Sequence, residues 1–259
     1  MTEPRTKAPE FKTEAELCAA FIAALPKGWT AYAETAGYDI LLSRADGLQV
    51  GVEAKLRLNP EVVVQASKSW GYDPLAAGPD FRAALVPAGR AQQHMSAICA
   101  MLGVTVITMT HPDDTTERRY GWRPPAFRPD LPDKNTNQYW SGREQDWYDR
   151  CPGERCKLPE YVPDVGAGQS APVSLTYWKI QAIKLMIILE RRGYVTKADF
   201  KHVKIDPSRW TRDWLERGPE RGQFVAGRYT PDLRAQHPVN WGQIEADFEK
   251  WKPADEVAA

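Results

Sequence analysis

Hydrophobic and polar positions change period along the first 110 residues, and the changes predict where helices give way to strands. Between Thr13 and Leu25 apolar residues recur every three or four positions, which predicts an amphipathic helix. Thr13 with Glu16 three residues later forms a capping-box pattern at its start. Pro26 and Gly28 are expected to end this helix.

Three short extended segments follow the first helix, with turn-forming residues between them. The second gap contains Asp46 and Gly47, a strong hairpin signal, so we expect the second and third segments to pair antiparallel. The predicted strands run from Trp29 to Glu34, from Asp39 to Arg44 and from Gln49 to Lys55.

Two further helix and strand pairs complete this part of the chain. Asn59 and Pro60 suit a helix start, and Gly71 is a predicted stop. The remaining predicted elements are a strand at Ala83–Val86, a helix at Ala91–Leu102 and a strand at Val104–Met109. The order α-β-β-β-α-β-α-β predicts an α/β fold, a mixed β-sheet flanked by helices, over residues 1–110.

The pattern changes after residue 110. Residues 111–173 are rich in Pro, Asp, Asn and Trp with little periodicity, and we interpret them as a connecting region whose frequent aromatic residues argue against disorder. Residues 174–259 predict a mostly helical domain. Its elements are a helix at Thr176–Arg192, a helix from Thr196 to Lys204, a helix that begins at Asp206 and a hairpin at Phe224–Tyr229.

Composition sets broad limits on function. The chain has 259 residues, 42% hydrophobic and 26% charged, with a formal net charge of zero, which is typical of a soluble globular protein. No apolar run approaches the roughly 20 residues that span a bilayer, and the N-terminus lacks the apolar stretch of a secretory signal. We therefore expect a cytoplasmic protein without a membrane partner.

Four cysteines allow two readings. Cys18 and Cys99 lie in apolar helical patterns and are expected to be buried. Cys151 and Cys156 flank a turn-forming Pro-Gly-Glu-Arg segment and could supply half of a zinc site. No nearby His or Cys pair supplies the other two ligands, which favours two free thiols.

One group of polar residues carries candidate chemistry. Asp39 begins the second predicted strand, and Glu53 and Lys55 end the third on one face, so all three are expected near the same sheet end. A carboxylate and an ammonium group at the end of an apolar strand are costly to bury without a partner. A divalent cation bound by Asp39 and Glu53 would offset the cost of burying these charges, and Lys55 would bind a water molecule.

Glu14 is a further candidate on the first helix. It lies three residues before Leu17 and seven before Phe21, which places it on the core-facing stripe. There it could complete the metal site. Alternatively, it merely complements the helix dipole from the first turn.

These residues and the order of elements resemble the PD-(D/E)XK nuclease superfamily, with its restriction-endonuclease-like αβββαβ core. The resemblance covers roughly residues 13–110 and depends on Tyr38-Asp39 and Glu53-Ala54-Lys55. It implies that Asp39, Glu53 and Glu14 bind a metal and that Lys55 is the catalytic lysine. Gln65 matches a glutamine found in some branches of the superfamily. Tyr38 stands where the motif has proline, and Ser69 where those branches have tyrosine.

The resemblance implies a reaction and a cofactor. Mg²⁺, or Mn²⁺, would polarise the scissile phosphate of DNA and lower the pKa of a water that then attacks it. Lys55 would orient that water or stabilise the developing charge. Enzymes of this class that cut both strands often act as dimers, so a homodimer is possible. The alternatives are a nuclease-fold protein that binds DNA or protein without cleaving, and an unrelated α/β domain.

The C-terminal region has a local excess of positive charge. Residues 176–234 contain 13 Lys and Arg against 7 Asp and Glu. The order of helices and hairpin resembles a winged-helix domain, which implies a recognition helix from Pro207 to Arg217 and DNA contacts by Arg209, Arg212, Arg217 and, on the wing, Arg221 or Arg228. Alternatively this is a helical packing domain with Trp210 and Trp214 as its core.

Overall fold

The computed structural model of the chain describes residues 9–67, 77–114, 123–132, 146–168 and 175–253. Within them the chain forms two compact units. The first contains the described residues up to 158 together with 166–168, and the second contains 159–165 together with 175–253. Part of the predicted connecting region, residues 111–173, thus belongs to the first unit.

The first unit is built on a six-stranded mixed sheet in the order β1-β2-β3-β4-β5-β6. The strands β1, β2 and β3 form an antiparallel meander, β4 and β5 continue it in parallel, and β6 pairs antiparallel with β5. The strands are β1 (Trp29–Thr35), β2 (Tyr38–Arg44), β3 (Gln49–Ala54), β4 (Phe81–Pro87), β5 (Thr105–Met109) and β6 (Phe127–Arg128). This confirms the predicted α/β class and its mixed sheet.

Three helices flank this sheet: α1 (Glu14–Ala23), α2 (Pro60–Ala66) and α3 (Gln93–Met101). The hydroxyl of Thr13 accepts the amide of Glu16 at 3.1 Å, so Thr13 is the N-cap of α1 as predicted. The Glu16 carboxylate accepts the amide of Lys12 at 2.8 Å instead of that of Thr13, so the capping box is only half formed.

The core of the first unit explains the hydrophobic pattern. Helix α1 buries Leu17, Cys18 and Phe21, and the Phe21 ring packs edge-on against Phe127 of β6 at 5.0 Å. Helices α2 and α3 share a second apolar cluster with β4. Asn59 caps α2 by accepting the amide of Val62 at 3.0 Å. Gly71, the predicted stop of this helix, lies outside the described residues.

The second unit consists mainly of helices around a small antiparallel sheet in the order β7-β9-β8. Its longest helix, α4, buries ten consecutive residues and ends at Gly193, whose φ of 83° is left-handed. The remaining elements are listed in chain order: α4 (Tyr177–Arg192), β7 (Val195–Thr196), α5 (Lys197–His202), α6 (Pro207–Arg209), a π-helical turn (Trp210–Trp214), β8 (Leu215–Arg217), β9 (Gln223–Ala226), α7 (Leu233–Gln236), α8 (Pro238–Ala246) and α9 (Phe248–Trp251).

Two details of the second unit differ from the sequence prediction. The helix predicted over Pro207–Arg217 ends at Trp214, because Leu215 is extended (φ −111°, ψ 151°) and buried. Leu215 pairs with Ala226, so the hairpin is formed by β8 and β9 and not by Phe224–Tyr229. Arg217 consequently lies on a strand instead of a helix. In the described part of the chain no helix is long and apolar enough to cross a membrane.

Candidate active site at the ends of β2 and β3

Strand register places Asp39 and Glu53 opposite one another. The last pair between β2 and β3 is Ile40 with Val52, and one step further the same register reaches Asp39 and Glu53. The Oδ2 atom of Asp39 accepts the backbone amide of Ala54 at 2.8 Å. The Asp39 carboxylate therefore lies against the peptide between Glu53 and Ala54.

Lys55 follows Ala54 directly, and its backbone continues the direction of β3. Its backbone amide donates to the carbonyl of Leu85 at 3.0 Å, so the extended pairing with β4 continues one residue past β3. Its Nζ atom donates to Oε2 of Glu14 at 3.0 Å, with the two side chains 21% and 31% exposed. The structure thus brings Glu14 of α1 to the end of β3.

Two opposing effects act on the Lys55 ammonium. Burial lowers its pKa, but the hydrogen bond and the charge of Glu14, and the charges of Glu61 and Asp39, outweigh burial. The net pKa of Lys55 is therefore above its ordinary value. Lys55 is therefore a charged hydrogen-bond donor in this arrangement.

Glu53 is buried beside an aromatic ring. Its side chain is 4% exposed and lies on the same face of β3 as Gly51. A Cβ at Gly51 would lie 2.6 Å from the Tyr38 ring, so glycine leaves the space that this ring occupies. Burial, with smaller effects of neighbouring charges that include Glu53, raises the pKa of Tyr38 to about 12.

A fourth carboxylate, Glu34, belongs to the site and was missed by sequence reasoning. It lies between the β1–β2 pairs Ala33–Ile40 and Thr35–Tyr38, at the level of Asp39, with a left-handed φ of 50°. Its Oε1 atom accepts the amide of Gly168 at 2.9 Å. That contact spans 134 residues, so no local sequence pattern signals it.

The four carboxylates converge on one thiol. Burial raises the pKa of Cys18 strongly, and the negative charges of Asp39, Glu34, Glu14 and Glu53 add to that rise in this order. The segment around Gly168 closes over the same place, because a Cβ there would lie 2.9 Å from the Cys18 sulfur. Negative charge is therefore concentrated between α1 and the ends of β1, β2 and β3.

The chemistry of this donor set fits a hard divalent cation, which prefers carboxylate oxygens and retained water molecules. In the conformation described, however, protein groups already engage these carboxylates: Lys55 holds Glu14, the Ala54 amide holds Asp39 and the Gly168 amide holds Glu34. Over the described ranges, no three His, Cys, Asp or Glu side chains are already arranged as metal ligands. Binding a cation requires side chains to turn.

Gln65 lies near this site without joining the carboxylates directly. Its amide nitrogen donates to Oε1 of Glu61, one turn earlier on α2, at 3.4 Å. Glu61 in turn acts on the charge of Lys55. Ser69, the position of the branch tyrosine, lies outside the described residues.

The predicted DNA-contacting arginines of the second unit occupy different settings. The Arg209 guanidinium lies 4.7 Å from the ring centroid of Trp214, and Arg228 lies 5.7 Å from that of Tyr229. Arg212 forms a two-pronged ion pair with Asp213, at 2.9 and 3.1 Å, and this hydrogen bonding raises the pKa of Arg212. Arg217 is exposed on β8.

Two of the tryptophans and two of the cysteines are packing residues. Trp210 is 1% exposed within the core of the second unit, and Trp214 packs edge-on against it at 5.0 Å. Cys18 and Cys99 are buried, as predicted, and Cys151 is exposed.

Comparison of this chain with protein-family models, with curated proteins and with solved structures finds no match in any of the three.

Proposed function

We propose that the chain is a metal-dependent nuclease of the PD-(D/E)XK type that hydrolyses phosphodiester bonds of DNA. The observation that carries the proposal is the contact between the Asp39 carboxylate and the Ala54 amide. It brings the carboxylate of Asp39, on β2, to the backbone nitrogen of Ala54, the residue between Glu53 and Lys55. An acid on one strand and an acid with a lysine on the next are the side chains that such chemistry uses.

The topology of the first unit supports this assignment. Its order of a helix, an antiparallel three-strand meander, a helix and a parallel fourth strand is the αβββαβ order of the restriction-endonuclease-like core. The acids and the lysine lie where β2 and β3 meet the first helix. Fold order alone does not establish a reaction, so the proposal depends on the residues of the site.

The side chains have distinct tasks in the proposed reaction. Asp39 and Glu53 hold the cation, and Glu14 and Glu34 are further carboxylates within the same cluster. When bound, a magnesium ion lowers the pKa of a water molecule and stabilises charge on the scissile phosphate. Protonated Lys55, whose pKa the site raises, donates a hydrogen bond to the attacking water or the phosphate oxygen.

The Lys55–Glu14 ion pair has a clear place in this scheme. Without a cation, Lys55 offsets the charge of one carboxylate at 3.0 Å. Glu14 would be able to hold a cation if it turned away from Lys55, and Lys55 would then have an ammonium group available for the phosphate.

The second unit supplies the proposed DNA contact. Its order of a helix, a strand, two helices, a π-helical turn and a hairpin resembles that of a winged-helix domain, with β8 and β9 in the place of the wing. Arg209 ends α6, Arg212 lies in the π-helical turn, and Arg217, Arg221 and Arg228 lie on or beside the hairpin. These cations contact phosphates in the proposal, with Arg212 exchanging Asp213 for the nucleic acid.

Cleavage of plasmid and of labelled oligonucleotides in Mg²⁺, Mn²⁺ or EDTA tests the proposal. We expect cleavage with metal, none in EDTA, and a loss of at least about 100-fold in Lys55→Ala. Lys157→Ala is the matched control, because Lys157 is 89% exposed in the same unit and forms its ion pair with Glu154, at 4.0 Å, instead of with a carboxylate of the site. Lys55→Ala activity equal to that of the control contradicts the proposal.

A second candidate is a nuclease-fold protein that binds DNA without cutting it. The observation in its favour is that the described residues hold no preformed group of three metal ligands. It predicts retention of DNA in a gel-shift assay, with no cleavage in any metal and no change in Lys55→Ala. The cleavage experiment separates the two candidates directly.

A further inference from the structure

A small cavity lies at the edge of the sheet where the parallel strands end. It has a volume of about 220 Å³ and lies wholly in the first unit. Residues that follow β3, β4 and β5 line it, with the segment that precedes α1 as the remaining wall. The carboxyl edge of parallel strands is where open α/β sheets bind ligands.

Two walls of this cavity are close in the chain to residues of the candidate active site. Leu56 and Arg57 line it and follow Lys55 directly in the chain. Phe11 lines it from the other wall and lies three residues before Glu14. The two partners of the Lys55–Glu14 ion pair are thus each within three residues of a cavity wall.

The walls combine an aromatic pair with hydrogen-bond donors. The Phe11 and His111 rings lie with their centroids 4.6 Å apart. The Nδ1 atom of His111 lies 3.2 Å from the backbone nitrogen of Asp113, on the side of the ring turned toward that residue. Phe11 is 8% exposed, which makes it a rigid wall.

The two arginines of the cavity differ in what holds them. Arg90 forms an ion pair with Glu10 at 3.3 Å. Arg57 is exposed, and among the described residues it forms no ion pair or side-chain hydrogen bond. Arg57 is therefore a cation that an incoming anion can use without displacing a protein carboxylate.

From these features we infer that the cavity binds one unpaired nucleotide of the substrate strand, next to the scissile phosphate. The base lies along Phe11 and His111, and its phosphate contacts Arg57. The volume is below the 300 Å³ or so of a pocket for a drug-sized ligand, which suits one base. The inference rests on the proposed function and adds that the strand is single at this point.

Calorimetric titration in EDTA separates binding in the cavity from catalysis. We expect deoxyadenosine monophosphate to bind the full-length protein more tightly than deoxyadenosine or inorganic phosphate does. A single-stranded dinucleotide binds at least as tightly as the mononucleotide if the ligand is part of a strand. Arg57→Ala weakens mononucleotide binding about tenfold, and Phe11→Leu, which keeps an apolar side chain, weakens it without unfolding the protein.

Lys157→Ala is again the control and leaves nucleotide affinity unchanged. Equal affinities for the mononucleotide in Arg57→Ala and in the control overturn the inference, as does binding of inorganic phosphate alone. If the protein binds the mononucleotide but cuts no DNA, the nucleotide-binding cavity is supported and the proposed nuclease activity is contradicted. If the protein cuts duplex and single-stranded DNA equally and binds no mononucleotide, the nuclease activity is supported and the nucleotide-binding cavity is contradicted.

Discussion

The carboxylate of Asp39 and the backbone amide of Ala54 are 2.8 Å apart, and this single contact joins the end of β2 to the end of β3. A carboxylate that accepts a backbone amide has a structural role as well as any catalytic one. Its two roles can be separated, because asparagine keeps an acceptor oxygen but loses the charge.

Asp39→Asn should therefore fold and fail as an enzyme. We expect its free energy of unfolding to match that of the parent, because the amide oxygen can accept from Ala54 and one negative charge leaves the cluster. Asp39→Ala leaves the amide without its acceptor and costs about 1 kcal/mol. Urea unfolding and plasmid cleavage measure the two roles. Cleavage by Asp39→Asn at the rate of the parent would contradict a role for Asp39 in the reaction.

The ion pair between Glu14 and Lys55 should control the charge of the lysine. Glu14→Gln removes the negative charge of Glu14 and weakens its hydrogen bond to Lys55, the two largest influences that raise the pKa of Lys55, so this pKa falls while burial continues to lower it. Titration of the Lys55 side chain by carbon NMR measures the shift.

Glu16→Gln is the matched control for that titration. Glu16 lies two residues away on the same helix and bonds to the Lys12 amide instead of to Lys55. Its replacement should leave the Lys55 titration unchanged. Equal shifts in the two variants would mean that the contact between Glu14 and Lys55 does not persist in solution.

Gly51 should tolerate no side chain. A Cβ at this position would lie 2.6 Å from the Tyr38 ring, which is buried, so Gly51→Ala must displace the ring and lose about 1–3 kcal/mol of folding free energy. Gly242→Ala is the opposite control, because Gly242 lies in α8 with nothing within 4 Å of its Cβ position. Alanine there stabilises a helix by about 0.5–1 kcal/mol. Denaturant unfolding of both variants measures the contrast, and a neutral Gly51→Ala contradicts the packing described.

Arg217 should contribute to DNA affinity through charge alone. It is exposed on β8, so Arg217→Ala should leave stability unchanged and weaken DNA binding in a way that added salt reduces. The slope of log affinity against log salt should fall by about 1 if Arg217 contacts one phosphate. An unchanged slope would mean that Arg217 contacts no phosphate and that DNA binds elsewhere on the molecule.

Local signals in the sequence were sufficient for most of the first unit. Thr13 and Asn59 cap their helices by hydrogen bonds to residues three positions later, and Gly47, with its positive φ, lies in the turn between β2 and β3. Neighbouring residues therefore determine these boundaries. Strand β6 was not predicted, because two residues carry no periodicity and pair with β5 only through the tertiary fold.

The candidate site divides in the same way. Asp39, Glu53 and Lys55 could be grouped from the sequence, because adjacent strands joined by a short turn determine their proximity. Glu34 could not, because an acid at a left-handed φ has no strand pattern and its partner Gly168 is distant in the chain. The helix predicted to reach Arg217 stopped at Trp214 because burial and pairing of Leu215 outweighed its local helical pattern.

Diffraction from a crystal grown with manganese tests the central claim most directly. An anomalous map should show a peak about 2.1 Å from carboxylate oxygens of both Asp39 and Glu53, with the Lys55 ammonium released from Glu14. A map without a peak there at saturating manganese, with the Lys55–Glu14 ion pair intact, contradicts the metal-dependent nuclease.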